Sequence, residues 1–148
     1  MATLILRRLR RSQSGQDVIE MALVTPLLLL LVMGIVDFGF MFMRFLVLTN
    51  AAVEGARVAS LPGYLPADAT SRAQAYASNG GVTGAVNVTV TNVSLPGAGG
   101  GTWPGVTVTV QNVYTMQYVR PIVTLVGGSM AANVTLTGRS TMRRQLGS

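Results

Sequence analysis

The sequence has no cysteine and no histidine among its 148 residues. Zinc centres built on thiolate or imidazole are therefore excluded, as are disulfide staples and any mechanism that needs an imidazole base. Lysine is absent as well, so all eleven cations are arginine. Acids are scarce, with five in the chain, and beyond the N-terminal helix read below the only one is Asp68. Catalysis by paired carboxylates has no second member there. Ser94, Ser129 and Ser140 lack a histidine to activate them. The Gly-rich stretch at 97–101 lacks the Lys and Ser/Thr that follow in a phosphate-binding loop, and reads as a hairpin tip. No catalytic residue, cofactor, metal or small-molecule substrate is expected.

What is present is apolar: 49% of residues are hydrophobic and 11% charged, an unusual balance for a soluble domain. The excess is concentrated between Met21 and Val47. Residues 21–43 carry one ionisable group, Asp37. As a helix this stretch would extend about 34 Å, enough to cross a hydrocarbon core of about 30 Å. Arg7, Arg8, Arg10 and Arg11 precede it. Beyond residue 15, seven arginines face five acids, so the basicity belongs to the N-terminus and no basic face for nucleic acid is expected. The positive-inside rule places the N-terminus in the cytoplasm and the last hundred residues outside. No small-residue cleavage site follows the apolar run near Arg44, so the run is expected to stay in the mature protein. Pro26 removes one helical hydrogen bond and predicts a kink near residues 22–26. The four Phe at 38, 40, 42 and 45 are either an interfacial aromatic belt or ordinary apolar filling.

Glu20 stands at the inner edge of this run, where a deep carboxylate costs about 2.5–3.5 kcal/mol. It either snorkels to the interface beside Asp17 or is neutralised by a partner. Gln16 lies four residues earlier, on the same helical face. A basic leader, Gly15, four residues, Glu20 and an apolar helix together resemble the prepilin pattern. Ser14-Gly-Gln-Asp-Val-Ile-Glu-Met-Ala22, Thr25-Pro26 with its Leu run, Gly34-Ile-Val-Asp-Phe-Gly39 and Asn50-Ala-Ala-Val-Glu-Gly-Ala-Arg57 narrow the resemblance to TadE-like pseudopilins of tight-adherence pilus systems. The tail Val134-Thr-Leu-Thr-Gly-Arg-Ser-Thr-Met-Arg143 resembles that family's terminal strand. Two positions depart from the pattern: Met21 replaces the usual aromatic residue after Glu20, and the first mature residue would be Gln16 rather than Phe.

The resemblance implies a leader at 1–15 removed between Gly15 and Gln16 by a prepilin peptidase, and a long helix at 16–61 that is transmembrane over about 21–43. It implies that Glu20 pairs with the new N-terminal amine of a neighbouring subunit. The expected partners are the inner membrane, other pilin or pseudopilin subunits and the pilus assembly platform. A bitopic anchor whose periplasmic domain binds a protein and never enters a fibre is the alternative.

Residues 62–148 read as an extracytoplasmic α+β domain. Leu61-Pro62-Gly63 ends the long helix, and 66–78 reads as a short one with Asp68 near its start. Val86, Val88 and Val90, then Val106, Val108 and Val110, alternate with polar residues and predict strands at 85–94 and 106–113. A third strand is expected near Asn133–Arg143, giving a small antiparallel sheet. Ala51, Ala52, Gly55, Ala56 and Ala59 offer a small-residue surface, either for this sheet or for a helix of another subunit. Glu54 and Arg57 are spaced as a solvated ion pair. Tyr118 to Val126 is either a short helix or a buried crossing, with the helix preferred. Trp103 is either a packing anchor or a partner contact. The Asn-x-Ser/Thr matches at Asn87, Asn92 and Asn133 follow from polar strand faces.

Overall fold

A computed structural model describes residues 2–130 and 133–145, without the side chains of residues 2–14 and 98. The side chains of the Arg cluster at positions 7–11 thus lie outside the described residues. The element order is α1 (Ala2–Ser60), α2 (Pro66–Asn79), β1 (Val86–Pro96), a short 3-10 turn, β2 (Thr102–Thr115), α3 (Val119–Leu125) and β3 (Asn133–Arg143). The class is α+β, with a long apolar N-terminal helix and a three-stranded antiparallel sheet ordered β1-β2-β3. Helix α1 continues back through the basic leader to Ala2 and forward through Pro26. Leu and Arg dominate positions 4–11, and both are good helix formers.

The chain divides into two compact units, Met1–Phe38 with Met116–Ala132, and Gly39–Thr115 with Asn133–Ser148. The second holds the sheet. Val88 faces Val110 and Val90 faces Val108 across β1 and β2, while Val106 faces Met142 and Val110 faces Gly138 across β2 and β3. Val106, Val108, Val110, Asn112 and Tyr114 share one face of β2 and are buried. Opposite them lies α1, where Leu48, Ala51, Ala52, Ala56 and Ala59 are buried in turn.

The spacing between these layers is set by missing side chains. A Cβ on Gly138 would collide with the α1 backbone at Leu48. A Cβ on Gly55 would come 3.1 Å from both Ala73 Cβ and Val108 Cγ1, and 3.2 Å from the Ala69 carbonyl. Gly55 is thus the point where α1, α2 and β2 converge. Helix α2 buries Ala69, Ala73 and Ala77, one alanine per turn, and Ala69 and Ala73 lie against Gly55 of α1. The small-residue surface read from the sequence receives the sheet, and it receives α2 as well.

Both strands of the hairpin run past their expected ends, so the turn between them shrinks to residues 97–101. Packing on the outer face explains the extension. Leu95 covers the space above Gly105, and the Trp103 ring covers Gly97. The Arg143 guanidinium stacks on that ring at 3.6 Å from its centre, making Trp103 a local packing anchor. The chain end is tied back by Arg144 N–H to the Pro104 carbonyl and Gln145 N–H to the Ser60 carbonyl, both at 2.8 Å.

Candidate functional site

Gly15, Gln16, Asp17 and Glu20 all lie on α1 with exposed side chains or backbone. Gln16 and Glu20 stand one turn apart on the same face. Nothing lies within 4 Å of the place a Gly15 Cβ would occupy. The helix beyond them is apolar on every side, with Met21, Leu23, Leu27 and Leu28 all exposed. A helix in contact with water on one side normally carries a polar face. This one does not, and it is long and apolar enough to cross a membrane. Thr25 within it satisfies its hydroxyl locally, donating to the Met21 carbonyl at 2.6 Å.

Asp37 is the polar residue that sequence reasoning left without a role. It is 2% exposed. Its Oδ1 accepts the Gln117 N–H at 3.1 Å, and its Oδ2 accepts the N–H groups of Tyr118 at 3.0 Å and Val119 at 2.8 Å. The first N–H groups of a helix have no partner inside it, and an anion there also meets the positive end of the helix dipole. Asp37 therefore closes the N-terminus of α3 from a neighbouring helix. Val119 lies against Gly34 one turn away, where a Gly34 Cβ would sit 3.9 Å from the valine methyl. The sequence showed the need on each side but not the pairing itself. A lone acid in an apolar run needs donors, and Pro121 near the start of a short helix marks a group of uncommitted N–H donors.

The Glu54-Gly55-Ala56-Arg57 segment has a structural explanation. Glu54 pairs with Arg57 at 3.6 Å, as its spacing implies, and also with Arg72 of α2 at 3.3 Å. With Gly55 at the three-way crossing and Ala56 buried, the segment is the seam that holds α2 on α1. At the other end of this unit, Arg44 donates to the Thr83 hydroxyl at 3.2 Å and lies over the Tyr114 ring at 5.1 Å.

Residues 15–57 match a family model described as TadE-like protein. The matched stretch holds Gly15, Gln16, Glu20 and Asp37, and ends on the Glu54–Arg57 seam. No curated protein and no solved structure matches the chain.

Proposed function

We propose, from the TadE-like match over residues 15–57, that this chain is a structural protein of tight-adherence pilus biogenesis, a TadE-like pseudopilin or minor pilin. Its reading as an anchored subunit rests on α1, whose exposed apolar surface fits a single pass through a bacterial inner membrane. The N-terminus is cytoplasmic, because the arginine cluster precedes the span. The sheet domain is periplasmic or extracellular.

A prepilin peptidase removes the leader between Gly15 and Gln16. Glycine in a helix interior costs about 1 kcal/mol relative to alanine, so Gly15 weakens α1 locally where the peptidase must bind it. Once cleaved, the α-amine of Gln16 is a cation near the membrane boundary. Glu20 of an adjacent subunit supplies its counter-charge, and the pair sets the register in which apolar helices pack with other pilin subunits on the assembly platform. The protein works through assembly and not through turnover.

The observation that carries this reading is the coincidence of the matched segment with an all-round apolar helix headed by Gly15 and Glu20. Intact mass of the protein purified from its native host tests it. Loss of residues 1–15 is the expected result. A mature chain that keeps its basic N-terminus points instead to the bitopic anchor with a protein-binding periplasmic domain.

A further inference from the structure

The segment between β2 and β3 carries two features that water does not demand. The first is extensive pairing of backbone groups around α3. Asp37 takes the N–H groups of residues 117–119. The carbonyls of Arg120 and Pro121 each accept from the Thr124 hydroxyl, at 3.2 and 2.8 Å. The carbonyls of Ile122, Val123 and Thr124 accept the N–H groups of Val126, Gly128 and Gly127, at 3.2, 2.9 and 3.1 Å. Gly127 makes this last closure possible with φ of 78°. Every carbonyl from 120 to 124 thus has a donor from within the segment. The second feature is apolar exposure at its tip, where Leu125 is 81% exposed and Val126 60%.

In water an exposed seven-residue helix can leave its terminal polar groups to solvent, and exposed Leu and Val are a liability. In lipid both preferences reverse. Unpaired backbone groups cost several kcal/mol each, and apolar side chains are at home. The depth of the segment follows from its anchor. Asp37 lies six residues inside the outer end of the apolar run at Met43, about 9 Å along a helix axis. A carboxylate there needs a full set of donors, and an N-terminal helix turn there needs an acceptor. Each group meets the other's need.

We propose that residues 117–128 form a re-entrant element that dips into the outer leaflet of the bilayer, hung from Asp37, with Leu125 and Val126 among the acyl chains. Lipid is the occupant of this face because the face adjoins the span itself. The proposal rests on the reading of α1 as a membrane span, and the experiment separates the two.

The chain has no cysteine, so single-cysteine variants of the full protein give clean spin-labelling sites. Leu125→Cys and Val126→Cys probe the tip, Leu31→Cys the span, and Thr89→Cys the exposed face of β1. The labelled proteins are reconstituted in phosphatidylethanolamine–phosphatidylglycerol vesicles. Relaxation by dissolved oxygen, which concentrates in lipid, is compared with relaxation by a water-soluble nickel chelate. The expected oxygen-to-nickel ratio at 125 and 126 lies well above that at Thr89 and approaches that at Leu31. A tip ratio equal to that at Thr89, with Leu31 protected from nickel, overturns the re-entrant element and leaves the span intact. Labels at 125 and 126 that are immobilised and shielded from both reagents mean that a second copy covers the face, which also overturns it. Nickel access at Leu31 removes the span, and the proposal with it.

Discussion

The carboxylate of Asp37 accepts the backbone N–H of Val119 at 2.8 Å, linking positions 82 residues apart in the chain. That bond and its two companions fasten the β2–β3 connection to α1 within one compact unit. Asp37→Ala leaves three donors without an acceptor where water is scarce, at an expected cost of about 3–5 kcal/mol. Asp37→Asn keeps one carbonyl oxygen but turns an NH2 toward the donors, so it recovers only part of the loss. Both variants should release amides 117–119 to fast hydrogen exchange and open residues 116–130 to protease. The sheet unit, whose core contains none of these residues, should keep its resistance. Unchanged exchange at 117–119 in Asp37→Ala would show that the three bonds do not hold the segment.

Gly138 and Gly55 should differ in their tolerance of a methyl group. At Gly138 the obstacle is the α1 backbone at Leu48, which cannot turn aside. At Gly55 the approaches are less severe, 3.1 Å to the Val108 methyl and the Ala73 Cβ and 3.2 Å to the Ala69 carbonyl, so a shift of a few tenths of an ångström would relieve them. Overpacking costs about 1–3 kcal/mol. Gly138→Ala should fall at the upper end and Gly55→Ala at the lower. Gly101→Ala, with open space around it, should leave stability unchanged. Thermal unfolding of the three variants in detergent tests the order, and equal melting temperatures would refute the close-approach account.

Much of this architecture is legible before any coordinates, because its signals are periodic or local. The Val alternation at 86–90 and 106–110 places both strands on one sheet, and Asn133–Arg143 is the third strand with its expected ends. Leu61-Pro62-Gly63 stops α1 at Ser60, and α2 runs one residue past its expected end. What could not be read are pairings between distant residues. Asp37 with the 117–119 amides, Glu54 with Arg72, and Trp103 with Arg143 are each made by the fold and by no spacing in the chain. The hairpin looked shorter in sequence because Pro96, Trp103 and Pro104 resemble loop. Trp103 over Gly97 and Leu95 over Gly105 carry the pairing through them. Of the candidate site, the Gly15–Glu20 motif was visible because leader, glycine, acid and apolar run lie in one linear stretch.

The stacking of Arg143 on Trp103 can be read out directly, because the chain has a single tryptophan. Arg143→Ala removes a cation held 3.6 Å from the ring centre and uncovers one face of the indole. The energetic cost at this partly exposed site is about 0.5–1 kcal/mol. Tryptophan emission should move to longer wavelength and become more accessible to acrylamide. Arg143→Lys should recover part of both changes, since an ammonium keeps the charge but not the flat stack. Emission that is identical in all three proteins would mean that the contact does not persist in solution.

Glu20 and Asp17 differ by one turn of α1, and their replacement should separate assembly from folding. Glu20 is exposed on the helix and distant in sequence from the sheet core, so Glu20→Gln should insert in the membrane and keep a protease-resistant sheet domain. If Glu20 pairs with a neighbour as proposed, the same change leaves the Gln16 amine of that neighbour without its counter-charge in a medium of low dielectric. Breaking a buried pair in this way costs about 3–5 kcal/mol, enough to lose most of an assembly equilibrium. Crosslinking to pilin partners and piliation should therefore both fall. Asp17 lies outside the apolar run, and in the proposed topology it is nearer the cytoplasm, where water screens its charge. Asp17→Asn should be the milder change. Gly15→Leu is expected to block the proposed leader removal, and should then reproduce the Glu20→Gln defect because no new amine forms. If Glu20→Gln cells make normal pili while Asp17→Asn cells do not, the pairing of Glu20 with a neighbour's amine is wrong. Glu20 would then be an interfacial acid that reaches to water.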